Sequence, residues 1–508
     1  MYQPFTLPTT PACFVVLLFC LIGIQLPGAS ATEPAVTRPN IVWIIPDDMS
    51  ANFSCYGETA IKTPHVDRMA ASGVKFTNAY VTAPVCSTCR SAFITGMYQT
   101  TIGAHHHRSG RGELKVDLPD HIKLVPELFQ AAGYHTSITG WPIRPGRSGK
   151  TDYNFQWDPA AYDGVDWSQR ADGQPFFAQI QTPGGKLRGK DAASWNRIGD
   201  KAEQMLGART PTGSVVLPPY YPPHPDILSD WAAYLDSVRL TDSMVGEVIA
   251  KLEADGVLDN TLVIFMTDHG ISHGRGKQFM YDEGLHVPLV IMGPGIDAGT
   301  ERDDVVEHID IAALSLSAAG IEIPPNVQAR DILASDYVNR EAVFAARDRC
   351  DETVDHMRSV RTKQFKYIRN FLPNRPYLQP CAYKDAKAIL IALRQCHAEG
   401  KLDVMQSLLF RQVRPPEELY DVDADPHEVN NLAADRDYAD HLAEMRQRLD
   451  TWMIETDDKG REPEPAEMYD SDMKVYTDKL SNPKFPPAQL KKLEANIALM
   501  KQWAAEGR

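Results

Sequence analysis

"NIVWII" (residues 40–45) is an unbroken apolar, branched run, and it stops at Pro46-Asp47-Asp48. A strand with no polar position is what burial on both faces requires, as in a parallel sheet covered by helices. The pattern returns as "TLVIFM" (261–266), which stops at Thr267-Asp268-His269-Gly270, and again as "PFFAQI" (175–180) and "VPLVIM" (287–292). Between these runs lie helix patterns that close on glycine, "HVDRMAASG" (65–73) and "KLVPELFQAAG" (123–133). A longer one, "SDWAAYLDSVRLTDSMVGEVIAKLEADG" (229–256), has Ser229 as its candidate N-cap. The alternation predicts an α/β fold built on a layered, mostly parallel sheet.

The chain has 508 residues, 43% of them hydrophobic, enough for one large domain and a smaller one. Its first 31 residues carry no Asp, Glu, Lys or Arg and hold an apolar stretch from Phe14 to Ile24 ahead of Ala29-Ser30-Ala31. That pattern reads as an export signal over 1–31, with no later segment long enough to span a membrane. Export permits disulfides, and beyond the signal six cysteines remain: Cys55, Cys86, Cys89, Cys350, Cys381 and Cys396. Their pairing is open, with a local pair among the last three as one choice. A formal net charge of -15 excludes a nucleic-acid binder that works through a broad basic surface. An anionic substrate would need cations concentrated at the site.

In open α/β sheets, sites collect beyond the carboxyl ends of strands. Asp47 and Asp48 follow one buried strand, and Asp268 with His269 follows another. Carboxylates that converge there repel one another and call for a cation, with oxygen ligands favouring Ca²⁺ or Mg²⁺. The segment "CSTCRSAFITG" (86–96) sets two cysteines three apart, followed by Arg90 and an apolar run. By itself this is a disulfide, a metal site or a reactive centre, and helical spacing sets Cys86 at a helix N-terminus, where free N–H groups favour an anion.

Taken together, "RPNIVWIIPDDMS" (38–50), "CSTCRSAFITG", "TDHGISHGRGKQFMYDEG" (267–284) and "EELYDVDADPHEVNNLA" (417–433) resemble, in this order, the signatures of the sulfatases. The resemblance implies an alkaline-phosphatase-like α/β domain over about 36–345 and a smaller C-terminal α+β subdomain over 346–455, followed by a charged extension, 456–508. It implies that a maturation enzyme oxidises Cys86 to formylglycine, whose hydrate attacks sulfur with one oxygen and expels sulfate with the other. It also implies calcium held by Asp47, Asp48, Asp268, His269 and the modified Cys86, with Arg90 and Lys277 at the nucleophile and the sulfate. The implied substrate is a sulfated glycan.

Three departures from the family pattern stand out. Thr88 occupies a position of the maturation motif that is otherwise Pro or Ala, and Cys89 offers Cys86 a competing disulfide. After "GYHTSITG" (133–140) the expected lysine and histidine are displaced, leaving Lys150 as the sulfate-binding lysine and Asp152 in place of the histidine. The run "PFFAQIQTPGGKLRGK" (175–190) ends in Gly184, Gly185 and Lys186 instead of a histidine, with the glycines read as allowing close backbone approach to a ligand. His273 is then the candidate proton donor to the leaving group. "GAHHHRSGRGE" (103–113) contributes His106 and His107 as candidate substrate contacts, with most of its three histidines expected in solvent.

The spacing "SHGRGK" resembles the heparan N-sulfatase-like branch. There "RDRCDETVDHMRSVRTKQFKYIRN" (347–370) offers Arg347, Arg349, His356 and Arg358 for glycan carboxylates or sulfates. Two other classes stay open: a metal-dependent phosphodiesterase or phosphonate hydrolase, and a glycan-binding relative with unmodified Cys86.

Overall fold

The computed structural model describes Met1 and residues 38–508, so the stretch read as an export signal lies outside the described residues. Its centre is an eight-stranded sheet of β1 (Asn40–Pro46), β2 (Val74–Tyr80), β3 (His135–Gly140), β4 (Arg144–Ser148), β5 (Phe176–Thr182), β6 (Thr261–Met266), β7 (Leu289–Met292) and β8 (Thr300–Glu307). The strand order is β4-β3-β5-β1-β6-β7-β2-β8. β1 pairs in parallel with β5 on one side and β6 on the other, while β7 and the edge strand β4 run antiparallel to their neighbours. Every residue of β1, β5 and β6 is buried, as the missing polar alternation required. Trp43 on β1 packs edge-on against Phe177 and Phe93 and donates its indole N–H to Ser315 Oγ at 2.9 Å.

The long helix spans Pro225–Ala254 and begins before Ser229. Pro225 supplies a preset φ at the first helical position, and His224 Nδ1 accepts the Asp226 N–H at 3.2 Å. Ser229 therefore lies inside the first turns and caps nothing.

A second sheet, antiparallel and ordered β12-β11-β10-β9, consists of β9 (Val343–Arg347), β10 (Met357–Arg361), β11 (Phe365–Asn370) and β12 (Glu417–Asp421). Helix Ala439–Glu455 packs on it through Leu442, Met445, Leu449 and Trp452. The extension beyond residue 456 forms helices Ala466–Leu480 and Pro487–Ala505, which share a small core of Tyr469, Met473, Met500 and Trp503 next to Val354. The extension thus lies on the body of the protein. Among the described residues, no helix is long and apolar enough to cross a membrane.

Candidate active site

β1, β5 and β6 are adjacent, so the loops leaving their carboxyl ends meet, and backbone hydrogen bonds lock them together. Asp47 N–H donates to Thr182 O at 3.1 Å, Asp268 N–H to Pro46 O at 3.1 Å, and Met49 N–H to His269 O at 3.0 Å. Asp48 sits in the left-handed region at φ 55° and donates its N–H to Asp268 Oδ1 at 3.0 Å. Gly184 and Gly185 make this possible. A Cβ on Gly184 would lie 2.3 Å from Asp47 O, and one on Gly185 2.1 Å from Asp48 O. The two glycines therefore press on the Asp47-Asp48 backbone, not on a ligand as the sequence reading had it, and that contact brings Lys186 Nζ to 2.6 Å from Asp47 Oδ2.

Cys86 is the first residue of helix Cys86–Thr95, all of which is buried. Its Sγ lies 2.9 Å from Lys277 Nζ, 3.1 Å from His269 Nε2, 3.6 Å from Lys186 Nζ and 3.7 Å from Asp48 Oδ1. Burial alone would push the thiol up, but Lys150, Lys186, Lys277 and His269 together hold it well below its usual value. Cys89 points the other way, with Sγ 2.6 Å from Ala83 O, and burial pushes its thiol up. All six described cysteines are free, so neither the Cys86–Cys89 bridge nor a local pair among Cys350, Cys381 and Cys396 is present. Gln278 Nε2 lies 3.0 Å from Cys350 Sγ and 3.6 Å from Cys381 Sγ.

Arg90 extends beneath the carboxylates. It pairs with Asp47, reaches Asp268 Oδ2 at 3.1 and 3.2 Å, and donates to Gln181 Oε1 at 2.5 Å. Lys150 Nζ is 3.3 Å from both Asp47 oxygens and 3.2 Å from Asp152 Oδ2. Burial opposes ionisation of Asp47 and Asp48, yet the surrounding cations, Lys150, Lys186 and Arg90 for Asp47 and Lys186 and Lys277 for Asp48, hold both well below the usual carboxylate range. Asp268 moves oppositely, up to about 6, through burial and the nearby Asp47. His269 is raised to about 9, because Asp268 and Cys86 outweigh its burial. Arg90, Lys150, Lys186 and Lys277, with His269, thus converge on three carboxylates and a thiol in a protein whose net charge is -15.

Asp48, Cys86 and His269 offer ligand atoms within 4.8 Å of one another, and Asp268 Oδ1 lies 3.6 Å from His269 Nε2. These groups could hold a metal. Asp47 is turned toward Arg90, Lys150 and Lys186.

Other candidates go elsewhere. His273 is wholly buried, with Nε2 2.6 Å from Asp230 Oδ2 and its ring 4.5 Å from that of Trp231. Burial and Arg188 hold it down at about 3, and among the described residues it makes no hydrogen bond to Cys86. Asp152 pairs with Arg111 and Arg108 as well as Lys150. The histidine run is not in solvent. His105 and His107 are buried, His106 is half-buried, and only His107 reaches the nucleophile helix, with Nδ1 2.7 Å from Ser87 Oγ. His106 Nδ1 accepts the Arg349 N–H at 3.3 Å.

Buried charges need partners, and that decides the late arginines. Arg347 pairs with Asp355 at 2.6 Å, Arg358 with Asp458 at 2.6 Å and Asp348 at 3.1 Å, and Arg349 with Glu464 and Asp472 at 2.7 Å. His356 stacks on Phe371 at 4.0 Å. Arg349 and Arg358 thereby bind the second sheet to the extension, while Arg347 and His356 pair within the region of that sheet. The sequence reading also missed Gln181, although a glutamine at the end of an apolar strand was a legible signal.

Residues 39–321 match the family described as Sulfatase, and residues 269–377 match N-sulphoglucosamine sulphohydrolase, C-terminal. The chain is 33% identical to an ulvan-active sulfatase of Formosa agariphila, over 89% of this chain and 81% of that protein. It is 26% identical to the human N-sulphoglucosamine sulphohydrolase, over 88% of this chain and 94% of that protein. The structure is similar in fold to that of BT4656 in complex with its substrate D-glucosamine-2-N,6-O-disulfate, with a TM-score of 0.58, 19% identity, and coverage of 84% of this chain and 100% of that chain.

Proposed function

The chain belongs to the sulfatase family, whose members hydrolyse sulfuric esters, and from that premise we propose that it is an exported enzyme that removes sulfate, as an ester or a sulfamate, from a sulfated oligosaccharide or polysaccharide. The observation that carries this reading is the ring of cations around one buried, activated sulfur: Lys277, Lys186 and Lys150 with Cys86 at the start of a helix.

In this reading a maturation enzyme converts Cys86 to formylglycine, whose hydrate would supply one oxygen to attack sulfur, while the glycan oxygen or nitrogen would leave with a proton, and a second hydroxyl whose deprotonation would expel sulfate and restore the aldehyde. Lys277 and Lys186 orient the sulfate oxygens and take up developing charge. Lys186, with 31% of its side chain exposed, is our candidate donor of the leaving-group proton in place of His273, whose Nε2 is engaged by Asp230.

The donor set fits a calcium ion. Three carboxylates and one imidazole crowd together, burial and the nearby Asp47 push Asp268 up to about 6, and a divalent cation would offset the repulsion. Asp48, Asp268 and His269 would hold it, with Asp47 completing the set once its lysines turn to substrate. When bound, such an ion lowers the pKa of an attacking hydroxyl and draws charge from the sulfate.

Mass spectrometry of the peptide containing Cys86, from natively produced protein, tests the reading together with sulfate release from defined sulfated oligosaccharides. Aldehyde or hydrate with sulfate release is expected. A wholly reduced Cys86 would leave a glycan-binding protein, and preference for phosphate esters over sulfate esters would leave a phosphohydrolase.

A further inference from the structure

We propose that Tyr383 and Lys387 form a subsite beside the nucleophile that takes the substrate's sugar ring and a second anionic group on the substrate, a carboxylate or a further sulfate. This rests on the sulfatase reading of the Cys86 site and names the kind of substrate that site takes.

Tyr383 lies in the short helix Ala382–Asp385, and Lys387 directly precedes helix Ala388–Ala398. The tyrosine is 41% exposed, a large aromatic side chain left facing solvent. Lys277 Nζ lies 5.4 Å from its ring centroid and Lys387 Nζ 4.8 Å. Since the Lys277 ammonium is itself 2.9 Å from Cys86 Sγ, this solvent-facing ring stands at the mouth of the nucleophile's pocket. A tyrosine there offers an apolar face for a sugar's C–H surface and a hydroxyl for its polar edge.

Lys387 differs from the other lysines of the site. Lys150, Lys186 and Lys277 each contact Asp47 or Asp48. Lys387 is 6% exposed and donates only to Ser272, at 2.6 Å to Oγ and 3.1 Å to the carbonyl; among the described residues no carboxylate pairs with it. Its neighbour Arg188 already faces Asp230 at 3.3 Å. An ammonium has three donors, so Lys387 retains one, together with a nearly buried charge that an anionic ligand would compensate. A sulfate engaged at Lys277 and an anion at Lys387 would bracket the same ring. Both residues lie in the segment between β11 and β12, outside the segments matched by the family, 39–321 and 269–377.

The test uses three oligosaccharides that share one sulfated sugar: one otherwise neutral, one with an adjacent uronate, and one with a second sulfate. The matured full-length enzyme and its Lys387→Met, Lys387→Arg and Tyr383→Ala variants are compared by kcat and KM. The wild type is expected to prefer at least one doubly anionic substrate over the neutral one. Lys387→Met is expected to cut that preference about 10- to 100-fold, the range for losing one charged hydrogen bond, and mainly through KM. Lys387→Arg should keep most of the preference, and Tyr383→Ala should lower kcat/KM on all three. The doubly anionic substrate that suffers identifies the anion read. Equal loss on all three substrates with Lys387→Met, or no wild-type preference, overturns the subsite. If Lys387→Met does not fold, the wild type decides alone: its KM for the preferred substrate must rise more steeply with salt than for the neutral one, and parallel slopes overturn the proposal. Failure of the wild type to release sulfate from any substrate or from a simple aryl sulfate would instead overturn the sulfatase reading.

Discussion

Lys277 Nζ lies 2.9 Å from Cys86 Sγ and, on its other side, 3.2 Å from Asp48 Oδ1, so one ammonium ties the nucleophile position to the carboxylate cluster. Burial opposes its charge, but Asp48 and Cys86 raise it well above the usual lysine value, and it stays charged across the working pH range. Replacing it with methionine removes a cation where negative charge develops. Loss of one such donor costs about 10²- to 10³-fold in kcat, and Lys277→Met is expected to fall in that range with KM changed much less. Steady-state kinetics on a sulfated substrate decides it, and a loss confined to KM would make Lys277 a binding residue only.

Gly185 presents a different kind of dependence, steric instead of electrostatic. A Cβ there would lie 2.1 Å from Asp48 O, a backbone atom with no room to yield. Gly185→Ala is expected to shift the Asp47-Asp48 turn, destabilise the protein by about 1–3 kcal/mol, and weaken binding of the calcium ion proposed for this site, as read by titration calorimetry. Unchanged calcium affinity in a folded variant would show that the turn tolerates the shift.

The buried strands and the carboxylates at their ends were legible because both follow from short-range pattern: a strand covered on both faces must be apolar throughout, and Asp47, Asp48, Asp268 and His269 stand where such strands stop. Arg90, Lys277 and Cys86 were legible through motif resemblance. His273 was not, because its fate depends on Asp230 and Trp231, about forty residues earlier on a helix whose inward face no local pattern reveals. The arginines at 347, 349 and 358 misled for the same reason. Their partners Asp355, Glu464, Asp472 and Asp458 read in sequence as ordinary surface acids; the packed extension turns the last three into buried ion pairs, and Asp355 is buried between Arg347 and Arg414.

The Arg358–Asp458 pair allows a direct test of that correction. Arg358 reaches Asp458 through two hydrogen bonds, of 2.6 and 3.0 Å, and all three groups with Asp348 are buried. Removing one member of such a pair costs about 3–5 kcal/mol, so Arg358→Met should lower the melting temperature and speed proteolytic release of residues beyond 456. KM for glycan substrates in the folded fraction should stay within about twofold, since a pair this buried has no free donor for substrate. A raised KM at unchanged stability would return Arg358 to the substrate.

Asp348 predicts how stability varies with pH. Burial pushes its carboxyl up to about 7; Arg358 opposes the rise and Asp458 adds to it. The unfolded chain holds a carboxyl near its ordinary value of about 3.9, so between roughly 3.9 and 7 the folded state binds the extra proton. The sign follows: this contribution to stability is whole below the unfolded value and is lost as pH rises through the folded one. Asp348→Asn keeps an acceptor for Arg358 but carries no titrating proton. Between pH 5 and pH 8 the wild type is therefore expected to lose more stability than Asp348→Asn, by on the order of a few kcal/mol, as read from denaturant midpoints at fixed ionic strength. Parallel profiles for the two proteins across that interval would mean that Asp348 is ionised throughout and that Arg358 holds two charged partners at once.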